Sequence, residues 1–201
     1  MKAAYYKPFL LATFIVLVDQ IIKIWVRTHM YLQQEIRFLG PYGRLHYTEN
    51  NGMAFGWEWG GDAGKLGLTF FRIIAVAMIS WGIVYLIKHK YHRALVLNVA
   101  LILAGALGNI IDSVFYGVIY HYAPLFQGRV VDMFYFPLFS GTYPSWVPGL
   151  GGQHFEFFEP VFNFADASIS VGVILILIFQ KHYFKHETVE PISTNSEVVE
   201  D

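Results

Sequence analysis

Four apolar runs, each close to twenty residues long, constrain this 201-residue chain more than any other feature. They are Phe9 to Val26 (FLLATFIVLVDQIIKIWV), Leu66 to Ile87, Ala94 to Tyr116 and Val161 to Gln180. A helix rising about 1.5 Å per residue needs about 20 residues to cross about 30 Å of hydrocarbon. As core helices of a soluble protein, four such runs would need more polar chain than this one has to cover them. Charged residues make up only 14% of the chain against 55% hydrophobic, about half the charged share of a soluble domain. The expected fold is therefore membrane all-α: four transmembrane helices (about 9–26, 66–87, 94–116 and 161–180) in one domain over 1–183. Abundant Tyr and Trp suit the half-wet interface. The remainder, 184–201, is acidic and is expected to be a disordered cytoplasmic tail.

The first run follows Lys2 and Lys7, as a signal peptide would. It lacks a small-residue cleavage site and carries Asp19, Gln20 and Lys23, so it reads as a retained helix. Lysine and arginine set the orientation. Lys2 and Lys7, then Lys88, Lys90 and Arg93 between the second and third runs, then Lys181 and Lys185, mark the cytoplasmic side. Both termini are expected there, and the loops 27–65 and 117–160 are expected outside. The first loop (IRFL, GPYG, RLHYTEN, NGMAFGW) reads as short strands with turns at Pro41–Gly43 and Asn51–Gly52, a small extracytoplasmic β-sheet. The second, rich in Gly, Pro and aromatics, reads as a long interfacial outer loop. No internal repeat suggests an inverted-repeat transporter.

Several chemistries drop out. The formal net charge is −1 with no dominant basic stretch, so no nucleic-acid partner is expected. With no cysteine there are no disulfides, thiol nucleophiles or cysteine-held metals. The eight histidines form no HExxH motif, there is no GxSxG, and Ser168 and Ser170 lack an activating base at helical spacing. No metal and no cofactor is expected.

The polar residues inside the apolar runs carry the signal, because an ionisable group at a bilayer-spanning helix centre costs at least about 2.5–3.5 kcal/mol. Asp19 and Lys23 share a helix face four residues apart, either as a structural ion pair or as a brace for the active region. Arg72, near the outer end of the second run, reads as a side chain snorkelling to the interface, with no catalytic role. Asn109 and Asp112 end the third run, Asp132 sits in the apolar segment RVVDMFYF, and Asn163 and Asp166 open the fourth. The run directions bring Asp112, Asp132 and Asp166 to the outer membrane face. Asp166 can also serve as a helix cap, and Asp112 as a structural hydrogen-bonding group. A carboxylate at Asp132 has little reason to be there unless it is used. Two carboxylates held close together share a proton, and such a pair can activate water while protonating a leaving amine.

Five blocks in this order resemble the bacterial lipoprotein signal peptidases, also called signal peptidase II. They are Asp19-Gln20-x-x-Lys23; Asn50-x-Gly52-x-Ala54-Phe55-Gly56; Gly108-Asn109-x-x-Asp112; Val130-Val131-Asp132; and Phe162-Asn163-x-Ala165-Asp166. The resemblance covers about Phe9 to Gln180. It implies an aspartic endopeptidase of the bacterial inner membrane. Its substrates are diacylglyceryl-prolipoproteins, cut on the N-terminal side of the lipidated lipobox cysteine. Asp132 and Asp166 match the catalytic dyad. Asn50, Asn109 and Asn163, with Gly52, match residues that position substrate backbone and dyad. Asp19, Lys23 and Asp112 match supporting polar residues. Besides substrate, the expected partner is membrane lipid, and a monomer is expected.

This sequence departs from the family pattern in places. An arginine usually follows the aspartate of the third block, where this chain has Ser113, and Arg129 is the expected substitute. Met53 stands where a small residue is common, a packing change. The stretches 117–129 and 140–160 are long, which bears on the entrance more than on the chemistry. Two other readings compete. A proton or ion transporter would need carboxylates spread across the membrane, whereas these gather at one face. A non-catalytic assembly factor that binds membrane peptides would tolerate Asp132→Asn.

Overall fold

The computed structural model of the chain describes residues 2–40, 42–52, 61–137, 139–157 and 160–184; the side chains of 2–4, 139–140 and 154–157 are outside that description. Pro41, Met53, the Ala54-Phe55-Gly56 part of the second block, and the tail beyond Phe184 lie outside the described residues.

Each apolar run forms a helix of membrane-crossing length. They are α1 (Lys2–His29), α2 (Gly61–Lys88), α3 (Arg93–Ile111) and, after two shorter elements, α5 (Phe164–Tyr183). α3 does not stop at Ile111. It widens into a π turn at Asp112–Tyr116 and closes with the short helix α4 (Gly117–Ile119). A π turn inserts one extra residue and releases carbonyls from the helical ladder. Here the amide of Gly128 donates to the Ser113 carbonyl at 2.8 Å, and that of Phe126 to the Val114 carbonyl at 3.1 Å. The segment after α4 thus folds back and satisfies the released groups. A Cβ on Gly128 would overlap the Asp112 carbonyl oxygen.

α3 is the most enclosed of the four spans. Its small residues explain why. A Cβ on Gly105 would run into the carbonyl of Ala165. One on Gly108 would lie 2.6 Å from Asp19 Oδ2 and 3.0 Å from Ala165 Cβ. Glycines here let α1, α3 and α5 approach backbone to backbone, the usual means of helix association in lipid. One apolar core joins Ala12 and Ile15 of α1, Ile83 of α2, and Val96, Ala100, Leu103 and Ala104 of α3. The outward faces carry exposed Phe14, Leu17 and Ile21 on α1, Ile74, Met78 and Trp81 on α2, and Ile174, Leu177 and Ile178 on α5. Apolar faces this extensive are what lipid covers.

A four-stranded antiparallel sheet closes one end of the bundle, in the order β1 (Glu35–Leu39), β2 (Gly43–Asn50), β3 (Val130–Tyr135), β6 (Val161–Phe162). The first loop therefore forms the hairpin its sequence predicts. A second, two-stranded sheet pairs β4 (Phe139–Thr142) with β5 (His154–Phe157), so the long second loop carries a hairpin of its own. Beneath the larger sheet, Val26 and Met30 of α1 pack with Tyr47, Tyr116, Val131 and Met133.

The element boundaries correct the sequence expectation in two places. The fourth span starts at Phe164, not Val161, because Val161 and Phe162 pair with Tyr135 and Phe134 of β3. A Val-Phe step reads equally well as strand or helix. The third span runs on past Tyr116 through the π turn, which hydrophobic periodicity does not reveal.

Candidate active site

Where sheet meets bundle, five elements deliver polar side chains to one buried cluster. β3 supplies Asp132. Antiparallel pairing places it opposite Thr48 of β2, and Asn50 sits two residues further along that strand. Neighbouring strand residues normally alternate between solvent and core, yet Val131, Asp132 and Met133 are all buried. Asp166 comes from the first turn of α5. There Asn163 is the N-cap, and the two residues form a capping box. The Asp166 amide donates to Asn163 Oδ1 at 2.8 Å, and the Asn163 amide donates back to Asp166 Oδ2 at 3.4 Å. The helix-cap role open to Asp166 in the sequence is thus real, and it occupies one oxygen. The other, Oδ1, accepts from Asn109 Nδ2 at 2.8 Å.

Asparagine amides tie the two carboxyl groups together. Asn163 Nδ2 donates to Asp132 Oδ1 at 2.6 Å and to Asn109 Oδ1 at 3.1 Å. Asn50 Nδ2 donates to Asp132 Oδ2, and Asn50 Oδ1 accepts from the Gly52 amide. That turn holds Gly52 at φ +87°, a conformation side-chain-bearing residues rarely adopt. Burial, and next the negative charge of Asp166, push the Asp132 carboxyl up to about 7. Amide donation from Asn163 and the charge of Lys23 oppose the rise, and the charge of Asp112 adds to it.

Behind this pair lies a second cluster. Lys23, wholly buried, forms ion pairs with Asp19 at 3.0 Å and Asp112 at 2.8 Å, and donates to Asn109 Oδ1 at 2.9 Å. Asp19 Oδ1 accepts from the Ala165 amide at 2.9 Å, at the start of α5. Asp112 accepts from Gln20 Nε2 at 2.9 Å and from the Val131 amide, next to Asp132, at 3.3 Å. The Asp19–Lys23 pair is a structural ion pair; Asp19 also holds the Ala165 amide beside Asp166, and Asp112, the other partner of Lys23, holds the Val131 amide beside Asp132.

Asp132, Asp166, Asn50, Gly52, Asn109, Asp112, Asn163, Asp19 and Lys23 therefore meet at one end of the bundle. Arg129 does not join them. Its side chain is 51% exposed, 3.9 Å from Glu49 and over the Tyr122 ring. It belongs to a separate group in which Arg27 pairs with Glu49 and lies over Tyr120 and Tyr122. The expected snorkelling of Arg72 is also corrected. Arg72 turns inward, donating to the Gly52 carbonyl and, at 3.2 Å, to Ser113 Oγ. Its sequence signal is a lone arginine near the outer end of an apolar helix. Its inward direction depends on Gly52 and Ser113, far away in the chain. Among the described residues no group of three or more His, Asp or Glu side chains is arranged to hold a metal ion.

Four spans under a small sheet, with a buried polar cluster at the seam, are the frame of a multi-pass membrane enzyme. Two solved chains, each described as a bacterial membrane enzyme determined by the in meso method, share this fold. The first, at 2.3 Å, superposes with a TM-score of 0.63 and 26% identity over 92% of this chain and 93% of that one. The second, at 1.9 Å, gives 0.59 and 28% over 86% and 91%. The chain belongs to the signal peptidase II family: residues 11–181 match the family described as Signal peptidase (SPase) II. It is 46% identical to the lipoprotein signal peptidase of Porphyromonas gingivalis over 84% of this chain and 80% of the relative. It is 40% identical to that of Amoebophilus asiaticus over 100% and 89%, and 31% identical to that of Staphylococcus aureus over 84% of each. The chain is thus a peptidase of bacterial membranes that acts on prolipoprotein signal peptides.

Proposed function

We propose that this single-domain peptidase, residues 1–183, removes the signal peptide from diacylglyceryl-modified prolipoproteins. It cuts N-terminal to the lipidated lipobox cysteine, using water activated between Asp132 and Asp166. One observation carries this reading. Two carboxyl groups from different elements are held by neutral amides of Asn50, Asn109 and Asn163, and no lysine or arginine within ion-pairing distance of either is found among the described residues. Neutral donors hold a carboxyl group in place without committing it to the ionised form, as acid–base work requires.

The signal-peptide segment enters sideways from the bilayer with its lipid chains left near the hydrocarbon. The asparagines hold it extended through backbone hydrogen bonds. Asp132, raised by burial and by its neighbour's charge, starts with the proton. Asp166 takes a proton from water, and the resulting nucleophile attacks the scissile carbonyl. The Asp132 proton passes to the carbonyl oxygen, giving a gem-diol; the C–N bond then breaks as Asp166 returns its proton to the amine and a gem-diol hydroxyl returns one to Asp132. Turnover therefore slows as the pH rises past about 7 and Asp132 loses its proton. The lysine and arginine distribution supports cytoplasmic termini and a site near the outer face of the inner membrane, and the protein acts as a monomer.

The test uses purified protein in detergent or lipid with a diacylglyceryl prolipoprotein, beside Asp132→Asn and Asp166→Asn. The gel shift of signal-peptide loss is expected for the wild type alone. Cleavage by either variant overturns the dyad. A folded wild type that leaves the lipidated substrate intact overturns the activity.

A further inference from the structure

Arg72 is a charged group at membrane depth whose position the proposed dyad chemistry does not explain. It lies eleven residues into α2, about 16 Å along the helix at about 1.5 Å per residue. A guanidinium on an apolar span is costly unless it is paired or used. Its bonding is unusual for a half-buried arginine. It carries five N–H donors in a planar fork. Among the described residues two interactions anchor it: Nη2 to the Gly52 carbonyl and Nη1 to Ser113 Oγ. Both acceptors are neutral, and it has no ion pair there. Yet the carboxylates of Asp166, Asp112 and Asp132 all lie within electrostatic reach of it.

The surroundings are shaped to hold the fork still. Gly52 has no side chain, and a Cβ there would meet Nη1 at 2.5 Å and Nη2 and Cζ at 3.1 Å. The group packs flat against the Gly52 backbone, in the turn that also carries Asn50 to Asp132. On its other side Ser113 is itself fixed, its Oγ bonded to the Asn109 carbonyl at 2.9 Å. The fork is thus pinned between the strand that orients one carboxyl group and the helix that orients the other. A dedicated, neutral-anchored cation with spare donors beside two acids is suited to an oxygen that gains negative charge.

We propose that Arg72 is a catalytic residue that donates to the scissile carbonyl oxygen and stabilises the charge developing on it as water attacks. The inference rests on the aspartic dyad proposed above. No proton leaves Arg72. Its free N–H groups shorten their bonds to the carbonyl oxygen as the C=O π electrons move onto it, and they relax when the amine departs. Ser113 and Gly52 are positioning residues for the fork.

The experiment measures kcat and KM for wild type, Arg72→Gln, Arg72→Lys and the double variant Arg72→Gln/Ser113→Arg on a diacylglyceryl prolipoprotein. Thermal unfolding is followed in parallel, with Asp132→Asn as the inactive reference. Loss of a charge-stabilising donor typically lowers kcat by about 100-fold or more. Arg72→Gln is expected to show that loss with KM changed by less than about threefold. Lysine, a point donor without the fork, is expected to fall between the two. Because Ser113 Oγ lies 3.2 Å from the guanidinium, an arginine from that side is expected to restore at least about tenfold to Arg72→Gln. The proposal is overturned if Arg72→Gln keeps kcat within about threefold of wild type, or if its defect lies in KM. It is also overturned if its loss goes with lost thermal stability and the added arginine restores neither. If the wild type itself does not cleave, the dyad reading fails first and this one falls with it; a wild type that cleaves beside unaffected Arg72 variants leaves the dyad standing.

Discussion

Two groups of carboxylates, all buried but the half-buried Asp166, share one end of this bundle, and the chain accommodates them in opposite ways. In the first, Asp19 and Asp112 surround Lys23. Each of their four oxygens also has an assigned donor, from Gln20 or from the backbone amides of Ala165 and Val131, or from Lys23 itself. One lysine cancels half of the two carboxylates' charge, and the geometry is closed. In the second, Asp132 and Asp166 are held by amides alone, with the guanidinium of Arg72 near but not paired. Charge here is tolerated rather than cancelled, and Asp132 responds by rising to about 7. The contrast separates scaffolding from chemistry. A carboxylate of the scaffold receives a counter-ion. In the proposed dyad, a group that exchanges a proton receives neutral donors, which fix its position and favour its ionised form less than a paired cation would.

The largest expected effect breaks the second group. Asp132→Asn and Asp166→Asn should each lower kcat/KM at least about 10³-fold; the thermal midpoint of Asp132→Asn stays within a few degrees of wild type, while that of Asp166→Asn, which trades one of two accepting oxygens for an amide nitrogen, falls by a few degrees more. A large fall in midpoint would return these residues to the scaffold. Breaking the first group should do the reverse. Lys23→Met strands two buried charges, a loss of about 3–5 kcal/mol, which chemical denaturation in detergent would read as lost fold before lost chemistry.

A smaller effect separates the groups by pH. Asp132 binds its proton more tightly folded than unfolded, where an aspartate titrates near about 3.9. The native state therefore holds more protons, and its stability falls as the pH rises from about 4 to about 7. Unfolding midpoints across that window should show a downward slope that Asp132→Asn removes. The smallest effect trims the edge of the first group. Tyr116 donates its hydroxyl to Gln20 Oε1 at 3.0 Å. Tyr116→Phe should cost about 1 kcal/mol and leave kcat unchanged; a tenfold drop in kcat would tie that network to the reaction.

Much of this arrangement was legible in the sequence because membranes make polar residues conspicuous. Asp132 stood out as a charge among Val130, Val131 and Met133, and the Asp19–Lys23 spacing placed both on one helix face. The pairing of 35–39 with 43–50 followed from turn chemistry. What stayed hidden depended on distant parts of the chain. An arginine in an apolar helix can swing outward to headgroups or inward to acceptors. Arg72 turns inward because Gly52 and Ser113 provide acceptors there. Arg129, adjacent in sequence to the Val130-Val131-Asp132 block, points away because Glu49 and Tyr122 lie on the other side. The π turn leaves no trace in hydrophobic periodicity. Its carbonyls are satisfied only when Phe126 and Gly128 fold back onto it.

The capping box at the start of α5 bears on how the protein can be inhibited. Asp166 spends one oxygen holding the first turn of its own helix closed through Asn163. A drug that captures this carboxylate, or a resistance substitution that denies it, acts at the same time on the point where the fourth span begins. A substitution at Asn163 or Asp166 would have to rebuild a helix end as well as the proposed reaction centre.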